Sequence, residues 1–348
     1  MKKRIAVIGY GGQGAWHCAQ LIKSDVAELA GTYDIKDNRN EAARENGIFV
    51  YASDEDVFAD KSVDAVVIAV PNDSHKSLVI AALNAGKNVI CEKPVEMSVA
   101  AFDEMCAAAK KNGKLFTVHQ NRRWDVDFRA VKSVIESGEI GDVLRVESRI
   151  HGSRGIPSDW RCTKSAGGGM ILDWGVHLID QMLQLVTDKV KSVYCVCTHY
   201  TNNEVDDGFR LELEFASGKT AYVEVGTYNF LAMPRFYMQC KDGTLYLENW
   251  QKKAHVARLT AWCEKDVTPV QNAAGITKTM APRDSLTLDE YDVDIPKTDV
   301  HEFYRNFCAV LDGNASPLIK LAEVRRVMQV MEAAFLSDEQ KQVIKTDI

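Results

Sequence analysis

The run Arg4 to Ile8, apolar after its first residue, leads without a break into GYGGQG, placing Gly9, Gly11 and Gly14 at G-x-G-x-x-G spacing ahead of a helical stretch from Ala15 to Lys23. A short β-branched run of this kind is expected of a strand buried on both faces of a parallel sheet. The glycines permit a tight turn, close backbone approach to a pyrophosphate and tight packing of helix on strand. A second strand, Glu28 to Tyr33, ends in Asp34, twenty residues beyond Gly14, where a carboxylate would accept hydrogen bonds from ribose hydroxyls. Strands at Val63–Val70, Asn88–Cys91 and Leu115–Val118 then alternate with helices at Ser74–Ala85 and Val99–Lys111. This alternation predicts a doubly wound sheet with a nucleotide at the carboxyl ends of its strands.

Two of those strand ends carry unusual polar groups. After DAVVIAV come Pro71, Asn72, Asp73, Ser74 and His75, and after NVIC come Glu92, Lys93 and Pro94. Asn72 and His75 suit either capping of the next helix or contact with a cofactor. Lys93, boxed between a carboxylate and a proline where a nicotinamide would end, reads as functional.

Residues 167–180, GGGMILDWGVHLID, set Asp173 and His177 four apart in an otherwise apolar segment. At helical pitch both fall on one face, with Leu172, Val176, Ile179 and Leu183 on the adjoining apolar face. Three readings stay open at this point: a core histidine with a carboxylate partner, two ligands of a metal site, or an acid/base pair facing a substrate. No further His or Cys is spaced to complete a metal site with His177.

At 348 residues the chain exceeds what one core usually holds, and a division at 1–122 and 123–348 fits the patterning. In the second part Val143–His151, Ser192–Tyr200, Phe209–Phe215, Thr220–Thr227, Phe236–Cys240, Thr244–Asn249 and Ala254–Cys263 read as strands, with turns at Ser217-Gly218 and Asp242-Gly243. Short separations favour antiparallel neighbours, giving an α+β domain. Val267 to Ser285 reads as a long loop, and Asp299–Leu311 and Leu321–Leu336 as helices. A formal charge of -7 gives no electrostatic reason to expect nucleic acid or an anionic membrane as partner. The N-terminal apolar stretch is too short for a signal core, and no later stretch is long enough to span a bilayer. Nine cysteines without CxxC spacing suit reduced thiols in a cytoplasm.

With GYGGQG, AVPNDSH, CEKPV, FTVHQNRRWD and GGGMILDWGVHLID in this order, the chain resembles the Gfo/Idh/MocA family, the sugar and inositol dehydrogenase group. The resemblance implies an α/β Rossmann domain for NAD binding, followed by an α+β domain with a large open, mostly antiparallel sheet and C-terminal helices, for substrate and oligomerisation. It also implies oxidation of a hydroxyl by NAD or NADP. By position Lys93 matches the active-site lysine, Asp173 the substrate-binding aspartate and His177 the catalytic histidine. Glu92 and Gln120 match residues near the nicotinamide and its ribose, and Trp160 and Arg161 a Trp-Arg pair near the site. The expected cofactor contacts are completed by Gly9, Gly11, Gly12, Gln13, Gly14, Asp34, Arg39, Pro71, Asn72 and His75. Asp34 favours NAD over NADP, with Arg39 close enough to complicate the choice. Trp174 departs from the commonest pattern, as either a core residue or a stacking wall for a sugar. The implied partners are a small carbohydrate or polyol and further copies of the chain, as a dimer or tetramer. Two other functions fit the same residues: redox-neutral, NAD-dependent cleavage of glycosides, and a dinucleotide or sugar sensor without chemistry.

Overall fold

The N-terminal apolar run forms β1 (Lys3–Ile8), in which Ile5, Ala6 and Val7 have no exposed surface. In the computed structural model, which describes residues 1–261, 269–283 and 286–348, it is followed by α1 (Gly12–Lys23), β2 (Ala27–Tyr33), α2 (Asp37–Glu45), α3 (Asp54–Ala59) and β3 (Ala65–Ile68). Then come α4 (His75–Asn84), β4 (Asn88–Cys91), α5 (Val99–Asn112) and β5 (Phe116–Val118). The strands pair in the order β2-β1-β3-β4-β5, all parallel, so chain order reverses between β1 and β3. Ligands in such sheets bind outside the carboxyl ends at that reversal.

Glycine is required at two points of the first turn. Gly9 has φ +95, and a Cβ on it would stand 2.3 Å from the carbonyl oxygen of Ala69; one on Gly14 would stand 1.9 Å from that of Gly9. The helix begins at Gly12 rather than Ala15, because the last glycines of the motif already form its first turn. α2 and α3 were not foreseen; DNRNEAARE offers only two alanines as an apolar signal.

The second part opens with α6 (Val126–Ser137) and β6 (Val143–His151). Next is a π-helical turn at Ile171–Gly175, running into α7 (Val176–Leu185). β7 (Val190–Thr198), β8 (Gly208–Phe215), β9 (Thr220–Gly226), β10 (Phe236–Cys240), β11 (Gly243–Leu247) and β12 (Ala254–Leu259) follow. After β13 (Val270–Asn272), β14 (Gly275–Thr277) and β15 (Leu288–Val293) the chain ends in α8 (His301–Leu311), α9 (Leu321–Gln340) and β16 (Ile344–Lys345). Among the described residues nine strands make one sheet, ordered β15-β12-β11-β10-β6-β9-β8-β7-β16, in which only β6 and β9 run parallel. This is the large, mostly antiparallel sheet expected.

Differences from expectation have local causes. The expected strand end at Cys263 and part of the loop expected over 267–285 lie outside the described residues. The described part of that loop holds the β13–β14 hairpin, which pairs with itself and buries little. β15 and β16 were missed, since LDEYDV is mostly polar and β16 is two residues long.

The inner sheet face and α7 share a core closed by α9, which lies on β7, α7 and α5. α8 turns back to α1, where the Tyr304 hydroxyl meets Nδ1 of His17 at 2.6 Å. Behind α7, the buried Arg235 binds Asp127 of α6 at 2.9 Å and Gln181 of α7 at 2.9 Å, and also bonds Ser148 of β6. The outward sheet face carries Arg210, Glu212 and Glu214 of β8 with the half-exposed Tyr194 and Tyr246. No described helix is long and apolar enough to cross a membrane.

Candidate active site

A cleft of about 640 Å³ runs from the glycine-rich turn, past the ends of β3 and β4, to the π turn and α7. Of the residues singled out in the sequence, Gly11, Gly12, Gln13, Arg39, Pro71, Asn72, Glu92, Lys93, Trp160, Arg161, Asp173 and His177 line it. Gly9 and Gly14 lie beneath, as packing glycines. His75 does not reach the cleft: it is fully buried, with Nδ1 3.0 Å from the Pro94 carbonyl and Nε2 2.9 Å from that of Val70, stapling two strand-end loops together. Asn72 donates to the Gly167 carbonyl at 3.0 Å and so ties the first sheet to the triple-glycine turn.

Asp34 is buried at the end of β2, where it accepts from the amides of Tyr10 at 2.7 Å and Lys36 at 2.9 Å, and from Arg39 at 3.2 Å. The Arg39 guanidinium crosses Gly11 and forms cleft wall, while the carboxylate stays behind it.

Glu92 is the hub of the cleft end beside β4. Its Oε1 lies 2.7 Å from His17 Nε2, 2.8 Å from His119 Nδ1 and 3.1 Å from Gln13 Nε2, and Oε2 accepts the Lys93 amide at 3.1 Å. Burial favours the neutral acid, but His119 and His17 outweigh it and hold the carboxyl well below its usual range. Burial also lowers the His17 pKa, so the imidazole is neutral, donates through Nε2 and accepts from Tyr304 at Nδ1. His17, Glu92 and His119 place potential ligand atoms within 4.8 Å of one another, and the two imidazoles already meet Glu92 Oε1 at 2.7 and 2.8 Å, within hydrogen-bond distance.

Lys93 donates to both the carbonyl oxygen (2.9 Å) and Oδ1 (3.0 Å) of Asp173, and Arg161 Nε donates to Asp173 Oδ2 at 2.9 Å. Burial would raise the Asp173 carboxyl, and the two cations outweigh it and lower it. The aspartate therefore bonds cations, not the histidine, while both side chains line the same cleft. A π turn of wider pitch than an α-helix begins before Asp173 and ends just before His177. Leu172, Val176, Ile179 and Leu183 are nevertheless buried as expected. Burial first, then Lys93 and Arg122, keep the His177 pKa well below 6.5. Its Nδ1 is buried without a hydrogen-bond partner among the described residues.

Ala69, Val70, Asn121, Arg122, Asp159 and Trp174 complete the lining. The Trp174 ring carries the Arg122 guanidinium 4.1 Å from its centroid, with Trp250 at 6.2 Å. Gln120, already singled out, follows β5 together with Asn121 and Arg122, which the strand-end rule that picked out Lys93 would also find. Both amide atoms of the buried Gln120 and Oδ1 of Asn121 lack protein partners among the described residues, as expected beside a polar ligand. His17 and His119 carry no such signal, since only tertiary packing joins them.

Residues 3–120 match the NAD-binding Rossmann-fold domain of the oxidoreductase family, and residues 128–246 match the GFO/IDH/MocA C-terminal domain. The chain belongs to the Gfo/Idh/MocA family of oxidoreductases. A crystal structure of an NAD-binding protein from Listeria innocua is 42% identical over 99% of both chains, with a TM-score of 0.95. The myo-inositol 2-dehydrogenase of Thermotoga maritima is 30% identical over 230 residues, 64% of this chain and 67% of that one. The NADP(+)-dependent scyllo-inositol 2-dehydrogenase IolW of Bacillus subtilis is 25% identical over 98% of this chain and 95% of its own. The chain spans about half the length of two Schizosaccharomyces pombe oxidoreductases that it also matches. The glycine turn, the orphaned Gln120 amide and the open space at Gly12 fit a dinucleotide of the kind this Gfo/Idh/MocA domain binds.

Proposed function

We propose that the protein is an NAD(H)-dependent oxidoreductase acting on a hydroxyl of a sugar, polyol or glycoside, with Lys93 and His177 as its acid/base pair. Residues 1–122 would hold the dinucleotide and 123–348 the substrate, with the outward sheet face serving assembly as a dimer or tetramer. The observation that carries the reading is the meeting of Lys93 and Asp173 at the cleft end where His177 stands.

Gly11, Gly12 and Gln13 would hold the pyrophosphate against α1, Asp34 the adenosine ribose, and Gln120 and Glu92 the nicotinamide half. When bound, the nicotinamide supplies the hydride acceptor. Loss of hydride from a carbinol carbon requires loss of the hydroxyl proton, and neutral His177 takes that proton. An ammonium has three donors; two of those of Lys93 go to Asp173, and the third faces the hydroxyl oxygen to stabilise developing negative charge. Asp173, fixed by Lys93 and Arg161, accepts from a neighbouring hydroxyl and orients the ring. Trp160 and Trp174 exclude water from one side.

A panel of sugars, inositols and glycosides, assayed for cofactor reduction and for products, tests this reading. Net accumulation of NADH with one polyol is expected. NAD binding without turnover of any member would leave a sensor, and glycoside cleavage without NADH would indicate redox-neutral chemistry.

A further inference from the structure

Asp206 sits outside the cleft, in the segment between β7 and β8, yet it grips the turn that carries Asp173. Its Oδ2 accepts from the amide of Ile171, first residue of the π turn, at 2.8 Å, and its carbonyl oxygen accepts from Met170 at 3.0 Å. Gly169, at φ +103, lies so close that a Cβ there would stand 2.2 Å from Oδ1 of Asp206, and the Gly169 carbonyl takes the amide of Asp173 itself at 3.0 Å. The segment is fixed from behind by Asp207, which accepts from Thr198 and Thr201 at 2.9 Å each, and from the side by Glu204, which accepts the Lys164 amide at 2.8 Å. A π turn leaves its first amides without partners inside the helix, so an external acceptor sets where the turn starts.

We propose that Asp206 is a positioning residue for the active site: its carboxylate anchors the start of the π turn and thereby sets Asp173 and His177 against Lys93. This rests on the function proposed above and adds a group that acts through backbone geometry alone. Burial pushes the Asp206 carboxyl up to about 7; the amides of Ile171 and Met170 favour its charge, and Asp207 opposes it. From β7 the Cys197 thiol also faces it. The ionised form is the better acceptor for the Ile171 amide, so the grip tightens as pH rises through neutrality and slackens as pH falls. His177, held well below 6.5, titrates lower, so the two groups separate on the pH axis.

The test compares wild type, Asp206→Asn, which keeps an acceptor but cannot titrate, and Asp206→Ala, which lacks one. Wild-type kcat/KM should fall by up to about tenfold from pH 8 to pH 6 through an inflection near neutrality, at one proton per group. Asp206→Asn should lose that inflection and keep the lower one. Asp206→Ala should lose about 10–100-fold in kcat at every pH, the scale of a small misplacement of reacting groups, with NAD affinity within about twofold of wild type. A substrate-free arm measures deuterium uptake by the 167–180 peptide, corrected for intrinsic rates. Protection should weaken from pH 8 to pH 6 in wild type and stay level in Asp206→Asn. Identical pH dependence of uptake in the two proteins, or an unchanged inflection in Asp206→Asn, would overturn the proposal. If no substrate in the panel is turned over while uptake behaves as expected, the oxidoreductase reading fails and the anchoring role stands.

Discussion

The Lys93 ammonium stands 3.0 Å from Oδ1 of Asp173 and 2.9 Å from its carbonyl oxygen, joining the carboxyl edge of the first sheet to the π turn packed on the second. The cation is thereby fixed before any substrate arrives, and Asp173 is shared between Lys93 and Arg161. Preorganised charge of this kind stabilises an alkoxide without reorganisation at the moment of reaction.

Removing the Arg122 charge should shift the pH profile. His177 is held deprotonated by burial and by the cations Lys93 and Arg122, so as a base it remains competent below pH 6.5. Arg122→Met keeps an aliphatic stem against Trp174 and removes the charge. The His177 pKa rises, protonation begins at a higher pH, and the lower acid-side inflection of kcat/KM should move upward. An inflection that stays in place would detach Arg122 from His177.

Cofactor preference should follow Asp34. Its carboxylate repels a 2′-phosphate, so steady-state kinetics should give higher kcat/KM with NAD than with NADP. Asp34→Ala should narrow the gap and leave Arg39, freed from its 3.2 Å contact, to accept the phosphate. Equal or better efficiency of the wild type with NADP would reject the assignment, and the NADP(+)-dependent relative IolW makes the comparison worthwhile.

The buried Arg235 links α6, α7, β6 and β10. Arg235→Ala would strand the Asp127 carboxylate, only 3% exposed, without its cation. Denaturant unfolding should show a loss of about 3–5 kcal/mol, the usual cost of breaking one side of a buried pair. A change within about 0.5 kcal/mol, as at ordinary surface positions, would contradict that.

Light scattering should find a dimer or tetramer at micromolar concentration. The outward face of the large sheet alternates charged residues with Tyr194, Tyr222 and Tyr246, a composition suited to a wet contact between copies. A monomer would remove this role from the face.

The sheets were legible because their signals are local: an all-apolar IAVI for a doubly buried strand, LELEF for a half-buried one. Lys93 and the Asp173–His177 pair stood out as polar groups in apolar surroundings. What sequence spacing does not reveal is the type of turn between Asp173 and His177. The π turn follows from anchoring by Asp206, 35 positions away from Ile171, and nothing in GGGMILDWGVHLID marks it. The His17–Glu92–His119 hub spans three separate segments, so no spacing announces it. His75 suits either helix capping or cofactor contact by its strand-end position, and its side chain instead turns inward to backbone carbonyls, a long-range packing that no local spacing announces.

The most direct test removes the acid/base pair while watching cofactor binding separately. With the best substrate of the panel, Lys93→Ala and His177→Ala should each lower kcat by about 10²–10⁴-fold, the range for a positioned acid or base, with NAD affinity nearly intact by calorimetric titration. Asp173→Asn should act more on KM. Near-normal turnover by His177→Ala would contradict the account and leave the histidine a structural residue of α7.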